Sequence, residues 1–149
     1  MKKKVPQRGY MVLIASDKKS MKKCLYNMVR FERGRAVLRH GCKLVAPTIF
    51  LNRDAAQAAI KKERQSLSYQ ESILKEDILY MRQRRLFNRY PDLMDIMRAE
   101  AKGTLCGTYH PVFKIRAVKI KKWMELFDAF DFVPRGNRLV EKAKGADRS

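Results

Sequence analysis

Tyr-Met-Val-Leu-Ile-Ala, at residues 10–15, is a short apolar run rich in strand-forming residues. Gly9 precedes the run and Asp17 follows it closely. An apolar run bounded by turn-forming residues predicts a buried β-strand. The stretch Met11–Ala15 is also the longest apolar one near the start, and it is too short to cross a bilayer or to serve as a secretory signal. We therefore expect no membrane insertion.

A hairpin is predicted directly after this strand. Residues 24–31 and 35–39 are both rich in strand formers, and the Glu-Arg-Gly sequence at 32–34 supplies a turn between them. Residues 43–46 predict one more short strand before Pro47. The first third of the chain is thus expected to be a small antiparallel β unit.

From Asn52 the composition becomes that of a helix. Asn52 or Asp54 can cap a helix, and four alanines follow within the next five positions. No Gly or Pro occurs until Pro91, so the helix is predicted to run to about Asn88, roughly 37 residues or ~55 Å long. A narrow apolar stripe recurs every seven residues, at Ile60, Leu67, Leu74 and Met81.

The last third predicts two shorter helices. Pro91 suits the first turn of one that stops at Gly103. A second helix has apolar residues at spacings of three and four, and a basic tail follows from Arg135 to Ser149; the apolar residues are Ile120, Trp123, Phe127 and Phe130. The expected fold class is therefore α+β: a small N-terminal antiparallel β unit, a long helix, two shorter helices and extended basic termini.

The charge is far above what solubility requires. The 149 residues carry 34 Lys and Arg against 15 Asp and Glu, a net charge of +19. Residues 1–50 alone hold 13 basic and 2 acidic side chains. Such a segment repels itself unless phosphates or another anionic surface lie against it, so we expect a polyanionic partner.

Three parts follow from this distribution: a basic β-rich RNA-binding segment at 1–51, the long extended helix at 52–90, and a helical segment with a basic C-terminal tail at 91–149. An alternative use of the acid-poor start is a cleaved organelle-targeting leader. Pro6 and Gly9 interrupt any amphipathic helix there, which favours retention of this end.

The first candidate RNA-binding cluster lies between the apolar strands. Its cations would contact phosphates, and the interleaved aromatic residues could stack on bases. The alternative is a solvated basic face over an aromatic core. The cluster consists of Lys2, Lys3, Lys4, Arg8, Lys18, Lys19, Lys22, Lys23, Arg30, Arg33, Arg35, Arg39 and Lys43.

Two further basic clusters are candidates for RNA contact. The second lies near the end of the long helix, where cations also suit the helix dipole; it consists of Arg82, Arg84, Arg85 and Arg89. The third precedes the aromatic face of the last helix and could be simply its solvated side; it consists of Lys114, Arg116, Lys119, Lys121 and Lys122.

The sequence offers little for metal binding or catalysis. Four side chains could supply the nitrogen and sulfur ligands of a tetrahedral zinc site: His40, Cys42, Cys106 and His110. However, His-x-Cys is not a usual spacing of zinc ligands. We therefore expect no metal and no other cofactor. No phosphate loop or nucleophile elbow occurs. Carboxylates on the long helix are expected in solvated ion pairs, at Glu63, Glu71, Glu76 and Asp77. We expect no enzyme activity.

A short basic strand unit, a long helix and basic termini together resemble an organellar ribosomal protein of the lineage-specific mitochondrial kind. Residues 12–16 and 29–39, Val-Leu-Ile-Ala-Ser and Val-Arg-Phe-Glu-Arg-Gly-Arg-Ala-Val-Leu-Arg, are similar to the strands of the smallest three-stranded ribbon proteins of the bacterial-type large subunit. The resemblance implies a role in translation inside the mitochondrial matrix.

The charge pattern and this resemblance predict a structural constituent of a mitochondrial ribosomal subunit. It would bind rRNA through the three clusters, bridge neighbouring ribosomal proteins and not form a homo-oligomer. One alternative is an accessory subunit of a respiratory or ATP-synthase complex, with its cations on anionic lipid or acidic protein. Another is a free-standing RNA-binding factor.

Overall fold

The structure, a computed structural model, describes residues 7–23, 28–40, 43–102, 104–126 and 132–141. Within these ranges the order of elements is β1 (Arg8–Ala15), α1 (Lys18–Lys23), β2 (Arg30–Glu32), β3 (Arg35–Val37), β4 (Arg39–His40), β5 (Lys43–Leu44), β6 (Ile49–Phe50), α2 (Arg53–Gln83), α3 (Leu86–Arg89), α4 (Leu93–Lys102), β7 (Val112–Lys119), α5 (Ile120–Leu126), β8 (Phe132–Arg135) and β9 (Arg138–Glu141).

A five-stranded antiparallel sheet with the order β7-β1-β6-β9-β8 forms the centre of the fold. The long pairing is between β1 and β7, which are in register from Arg8 opposite Lys119 to Ala15 opposite Val112. The β2–β3 hairpin and the β4–β5 pair are separate two-stranded ribbons. Strands from both ends of the chain therefore meet in one sheet.

Strand β1 is buried on both faces, because its alternate residues enter two different apolar clusters. Val12 and Ile14 pack with Phe50 and with α2 on one face. Met11 and Leu13 pack in the other cluster, which includes residues of α5. The sequence of a strand that is buried on both faces is a continuous apolar run, and this explains why residues 10–15 are apolar.

Helix α2 lies across one face of the sheet and extends beyond it. Asn52 caps it: its backbone is extended, and its Oδ1 accepts a hydrogen bond from the Ala55 backbone N–H at 2.8 Å. The helix ends at Gln83, earlier than the expected Asn88, because Arg85 adopts a left-handed backbone with φ of 53°. The short helix α3 follows that break.

Residues 91–149, expected to be a helical segment with a basic C-terminal tail, contain α4 and α5 but also the strands β7, β8 and β9. Residues 112–119 form a strand because they pair with β1 along its whole length. Within the expected basic tail, Gly136, with φ of 61°, and Asn137 make a turn that returns β9 onto β6. Pro134 is tolerated in β8 because this strand forms an edge of the sheet.

Several sequence predictions are confirmed. The fold class is α+β, with an antiparallel N-terminal β unit and one long helix. The strand at 10–15 and the hairpin turn at 33–34 are present. Helix α4 is described as far as Lys102, and the expected stop at Gly103 lies outside the described residues. Helix α5 covers 120–126, whereas Phe127 and Phe130 lie outside the described residues. Among the described helices, none has the length and apolar character needed to span a membrane.

Candidate nucleic-acid interface

A groove of about 970 Å³ runs between α2 and the edge strand β7. Its apolar lining includes Ile60 of the helix and two residues of the strand, Phe113 and Ile115. Four cations also line it: Arg53, Lys61, Arg64 and Lys114. The described lining residues include no Asp or Glu. We call this feature the basic groove.

The helical repeat explains why one helix supplies both the core and the groove. Ala56, Ile60, Glu63 and Leu67 form the buried row of α2. Arg53, Gln57, Lys61, Arg64 and Ser68 follow at spacings of three and four and form the neighbouring row. Packing of the first row on the sheet therefore places the second row along β7, over ~22 Å of helix.

Aromatic rings hold two of the groove arginines. The guanidinium carbon of Arg53 lies 5.6 Å from the centre of the Tyr10 ring. That of Arg64 lies 5.4 Å from the centre of the Phe113 ring. Cation–π contacts of this kind contribute about 0.5–1 kcal/mol at exposed sites and restrict the side chain without neutralising its charge. Both arginines are thus positioned but still able to bind an anion.

The basic groove continues into a smaller hollow of about 220 Å³ that shares Arg64 and Ser68 and is lined by Tyr109 and His110. Glu71 lies at this end, where its Oε2 is 2.6 Å from His110 Nε2 and its Oε1 is 2.8 Å from Lys75 Nζ. The hydrogen bond from Lys75, and next the charge of His110, hold the pKa of Glu71 below its ordinary value. A carboxylate that contacts both Lys75 and His110 therefore marks this end of the groove.

The first predicted cluster is spread over several surfaces. Arg8 is exposed at the start of β1, opposite Lys119. Lys18, Lys19 and Lys22 are exposed on α1, on the sheet face opposite α2. Outside the described part of the chain lie Lys2, Lys3 and Lys4, together with the side chains of Lys23, Arg39 and Lys43.

The hairpin arginines have different environments. Arg33 is exposed in the turn, whereas Arg30 lies 3.1 Å from Glu32. The Arg35 Nε–H donates a hydrogen bond to Glu63 Oε2 at 3.1 Å. With the side-chain amide of Gln70 oriented so that its oxygen faces Arg35, that oxygen accepts two more hydrogen bonds from the guanidinium at 2.7 and 3.0 Å. We therefore assign Arg35 to the contact between the hairpin and α2, although we predicted it as an RNA contact.

The prediction for Glu63 is wrong. It was expected in a solvated ion pair, but its side chain is only 1% exposed. It accepts hydrogen bonds from Arg35 Nε and from the Ala36 backbone N–H at 3.2 Å. A buried carboxylate requires such partners, because burial without them is costly.

The second predicted cluster lies away from the basic groove. Arg82, Arg84, Arg85 and Arg89 are all exposed around the break between α2 and α3. Arg84 lies with its guanidinium carbon 5.5 Å from the centre of the Tyr80 ring. The helix places Arg82 ~27 Å along its axis from Arg64. One short anion could not contact both places.

The third predicted cluster is mainly on a strand, so the alternative that it is the solvated side of a helix does not apply to Lys114, Arg116 and Lys119. Lys114 lines the basic groove. Arg116 pairs with Met11 and Lys119 pairs with Arg8 in the β1–β7 register. Lys121 and Lys122 are exposed on α5, on the sheet face opposite α2.

Only two of the four predicted metal-ligand candidates, Cys106 and His110, have described side chains. No group of three or more His, Cys, Asp and Glu suited to a metal occurs among the residues that the structure describes. His110 contacts Glu71, and Cys106 packs beside the α2 side of the core. The side chains of His40 and Cys42 lie outside the described residues, so the set of four stays untested.

Sequence reasoning missed three of the four groove cations: Arg53, Lys61 and Arg64. Residues 51–100 hold 10 basic and 8 acidic side chains, so a count of charge alone does not single out these three. The signal that could have found them is their spacing, because they form one row directly beside Ile60 and Leu67. Arg135 and Arg138 were likewise assigned to a tail, although they flank the β8–β9 turn.

Comparison with protein-family models, with curated protein sequences and with solved structures found no match to this chain.

Proposed function

We propose that the protein binds RNA in the basic groove and is a structural constituent of a ribosome, specifically of a mitochondrial ribosomal subunit. The observation that carries the proposal is the convergence of Arg53, Lys61, Arg64 and Lys114 on one groove whose described lining contains no acid. Cations that line one groove repel one another, and an anionic occupant would offset that repulsion.

The chemistry of the groove suits an RNA backbone. Guanidinium groups make two-pronged hydrogen bonds to phosphate, and a linear groove of ~22 Å presents several cations in succession. Phe113 and Tyr109 lie along the same path and offer partly exposed rings for base stacking. Lipid headgroups would use the charges but not the rings, which supports RNA over the membrane alternative.

An apolar surface on the outer half of α2 supports a role inside a larger assembly. Tyr69, Ile73 and Tyr80 recur at helical spacing and are exposed by 67%, 41% and 54%. Large apolar side chains in a row on a helix mark contacts with other proteins. This surface favours a subunit that contacts neighbours over a free-standing RNA-binding factor.

The test compares two variants that lose the same charge in different places. Arg53→Gln/Lys61→Gln/Arg64→Gln removes three groove cations, and Lys18→Gln/Lys19→Gln/Lys22→Gln removes three exposed cations from α1. Affinity for single-stranded RNA is measured for both as a function of salt. We expect the groove variant to bind at least tenfold more weakly, with a salt slope lower by about 2, since each lost phosphate contact on a single strand removes about 0.7.

The α1 variant should lose much less affinity. Circular dichroism of both variants checks that the fold is retained. Equal losses from the two variants would contradict the groove as the binding site, and absence of RNA binding by the wild-type protein would contradict the function itself.

A further inference from the structure

A second basic cleft lies beside the two hairpin turns. Its volume is about 440 Å³, and the cations Arg33, Arg135 and Arg138 line it. An adjoining hollow of about 420 Å³ shares Arg135 and Arg138 and adds Lys62 from α2. We call this feature the arginine cleft.

Tight turns bring these cations together. In the β2–β3 turn Arg33 and Gly34 have φ of 50° and 78°, so the chain reverses within two residues. In the β8–β9 turn Arg135 and Arg138 are directly paired in the strand register. The Lys62 side chain reaches the first turn and packs against Gly34. It lies so close that a Cβ added to this glycine would be 2.7 Å from Lys62 Cε.

The arginine cleft keeps a positive charge after its ion pair is taken into account. Glu32 is the acid among its described lining residues, and it pairs with Arg30 at 3.1 Å. Arg33 and Arg135 are exposed. The guanidinium carbon of Arg138 lies 5.2 Å from the centre of the Phe50 ring, so this side chain is positioned by the core.

Helix α2 separates the arginine cleft from the basic groove. Arg64 lines the groove and Lys62 lines the hollow of the cleft. At 3.6 residues per turn these two positions are about 160° apart around a helix that is about 10–12 Å wide. The two sites therefore face different flanks of α2.

We propose that the arginine cleft is a second phosphate-binding site for RNA, so that one molecule holds two RNA segments, one on each flank of α2. This inference rests on the proposed function, because it assumes that the groove also binds RNA. The protein would then join two RNA strands rather than coat one.

The test measures stoichiometry and bridging. Two short single-stranded oligouridylates, one with a donor dye and one with an acceptor dye, are titrated with the full-length protein at a concentration where light scattering shows a monomer. The wild-type protein is expected to bind two oligonucleotides and to give energy transfer between them. The variant Arg33→Glu/Arg135→Glu changes two exposed turn residues and leaves Arg138 on Phe50.

This variant should bind one oligonucleotide, with a groove affinity within about twofold of wild type, and give no energy transfer. Arg53→Gln/Lys61→Gln/Arg64→Gln should also bind one, in the arginine cleft. A wild-type stoichiometry of one, or a stoichiometry of two in the turn variant, would overturn the second site and leave the groove standing. Loss of phosphatidylserine-vesicle binding in the turn variant, with RNA stoichiometry unchanged, would overturn it in favour of lipid.

Discussion

Glu63 is a buried carboxylate that links α2 to the β2–β3 hairpin. It is 1% exposed, whereas its partner Arg35 is 46% exposed. The carboxylate also accepts from the Ala36 backbone N–H. Loss of either partner therefore has a different consequence. Without Glu63, water can solvate the exposed guanidinium of Arg35. Without Arg35, the negative charge of Glu63 stays buried with little compensation.

Truncating Arg35 is thus predicted to cost more than neutralising Glu63. Arg35→Ala should lower the free energy of unfolding by about 3 kcal/mol, because it leaves the carboxylate uncompensated. Glu63→Gln should lower it by about 1 kcal/mol, because the amide oxygen still accepts hydrogen bonds. Urea unfolding followed by circular dichroism measures both, with Arg33→Ala as the control from the same hairpin. If Arg35→Ala lowers the free energy of unfolding no more than Glu63→Gln does, the buried carboxylate does not depend on Arg35 for compensation.

At the scale of elements, the start of α2 fixes where the groove cations lie. The Asn52 cap sets the first turn, and Arg53, which follows it directly, lies over the Tyr10 ring of β1. Because the row Arg53, Lys61 and Arg64 is in register with the buried row, frayed first turns would displace the first groove cation. The helix cap therefore contributes both to stability and to the geometry of the site.

Asn52→Ala should destabilise the protein by about 1 kcal/mol, since the Ala55 N–H loses its acceptor. Asn52→Asp should stay within a few tenths of a kcal/mol of wild type, because the carboxylate accepts the same hydrogen bond and suits the positive end of the helix dipole. Thermal or urea unfolding distinguishes the two variants. If the aspartate variant is as unstable as the alanine variant, the cap is not the cause.

The elements that were predictable from the sequence are those with local signals. Residues 10–15 are apolar and flanked by turn formers, Arg33-Gly34 is a turn, and Asn52 precedes a run of alanines. Strand β7 has no such signal, because its conformation depends on pairing with β1, which is distant in the sequence. The β8–β9 hairpin is similar: Pro134 and the flanking arginines resemble a tail until β6 supplies the pairing partner.

The candidate site was predictable only in part, for the same reason. Lys114 belongs to a predicted cluster, but its partners in the groove come from a helix that is nearly neutral when its charges are only counted. Which flank of a helix faces an edge strand depends on the tertiary contact, and the burial of Glu63 depends on the hairpin that covers it.

At the scale of the whole molecule, the central sheet collects charge from distant parts of the sequence. The basic groove combines α2 with β7, and the arginine cleft combines the β2–β3 turn with the β8–β9 turn. Strands from 8–50 and from 112–141 pair with each other, so folding gathers cations that the sequence separates. A net charge of +19 on 149 residues then opposes the compact state, and a bound polyanion relieves that repulsion.

Sedimentation of the native protein, extracted from its own source, tests the central claim that RNA lies against these cations. We predict that the protein travels with an rRNA-containing particle and that ribonuclease together with high salt releases it, because counterion release makes such binding strongly salt-dependent. If the protein sediments with an RNA-free membrane or protein complex, unchanged by ribonuclease, the account is contradicted.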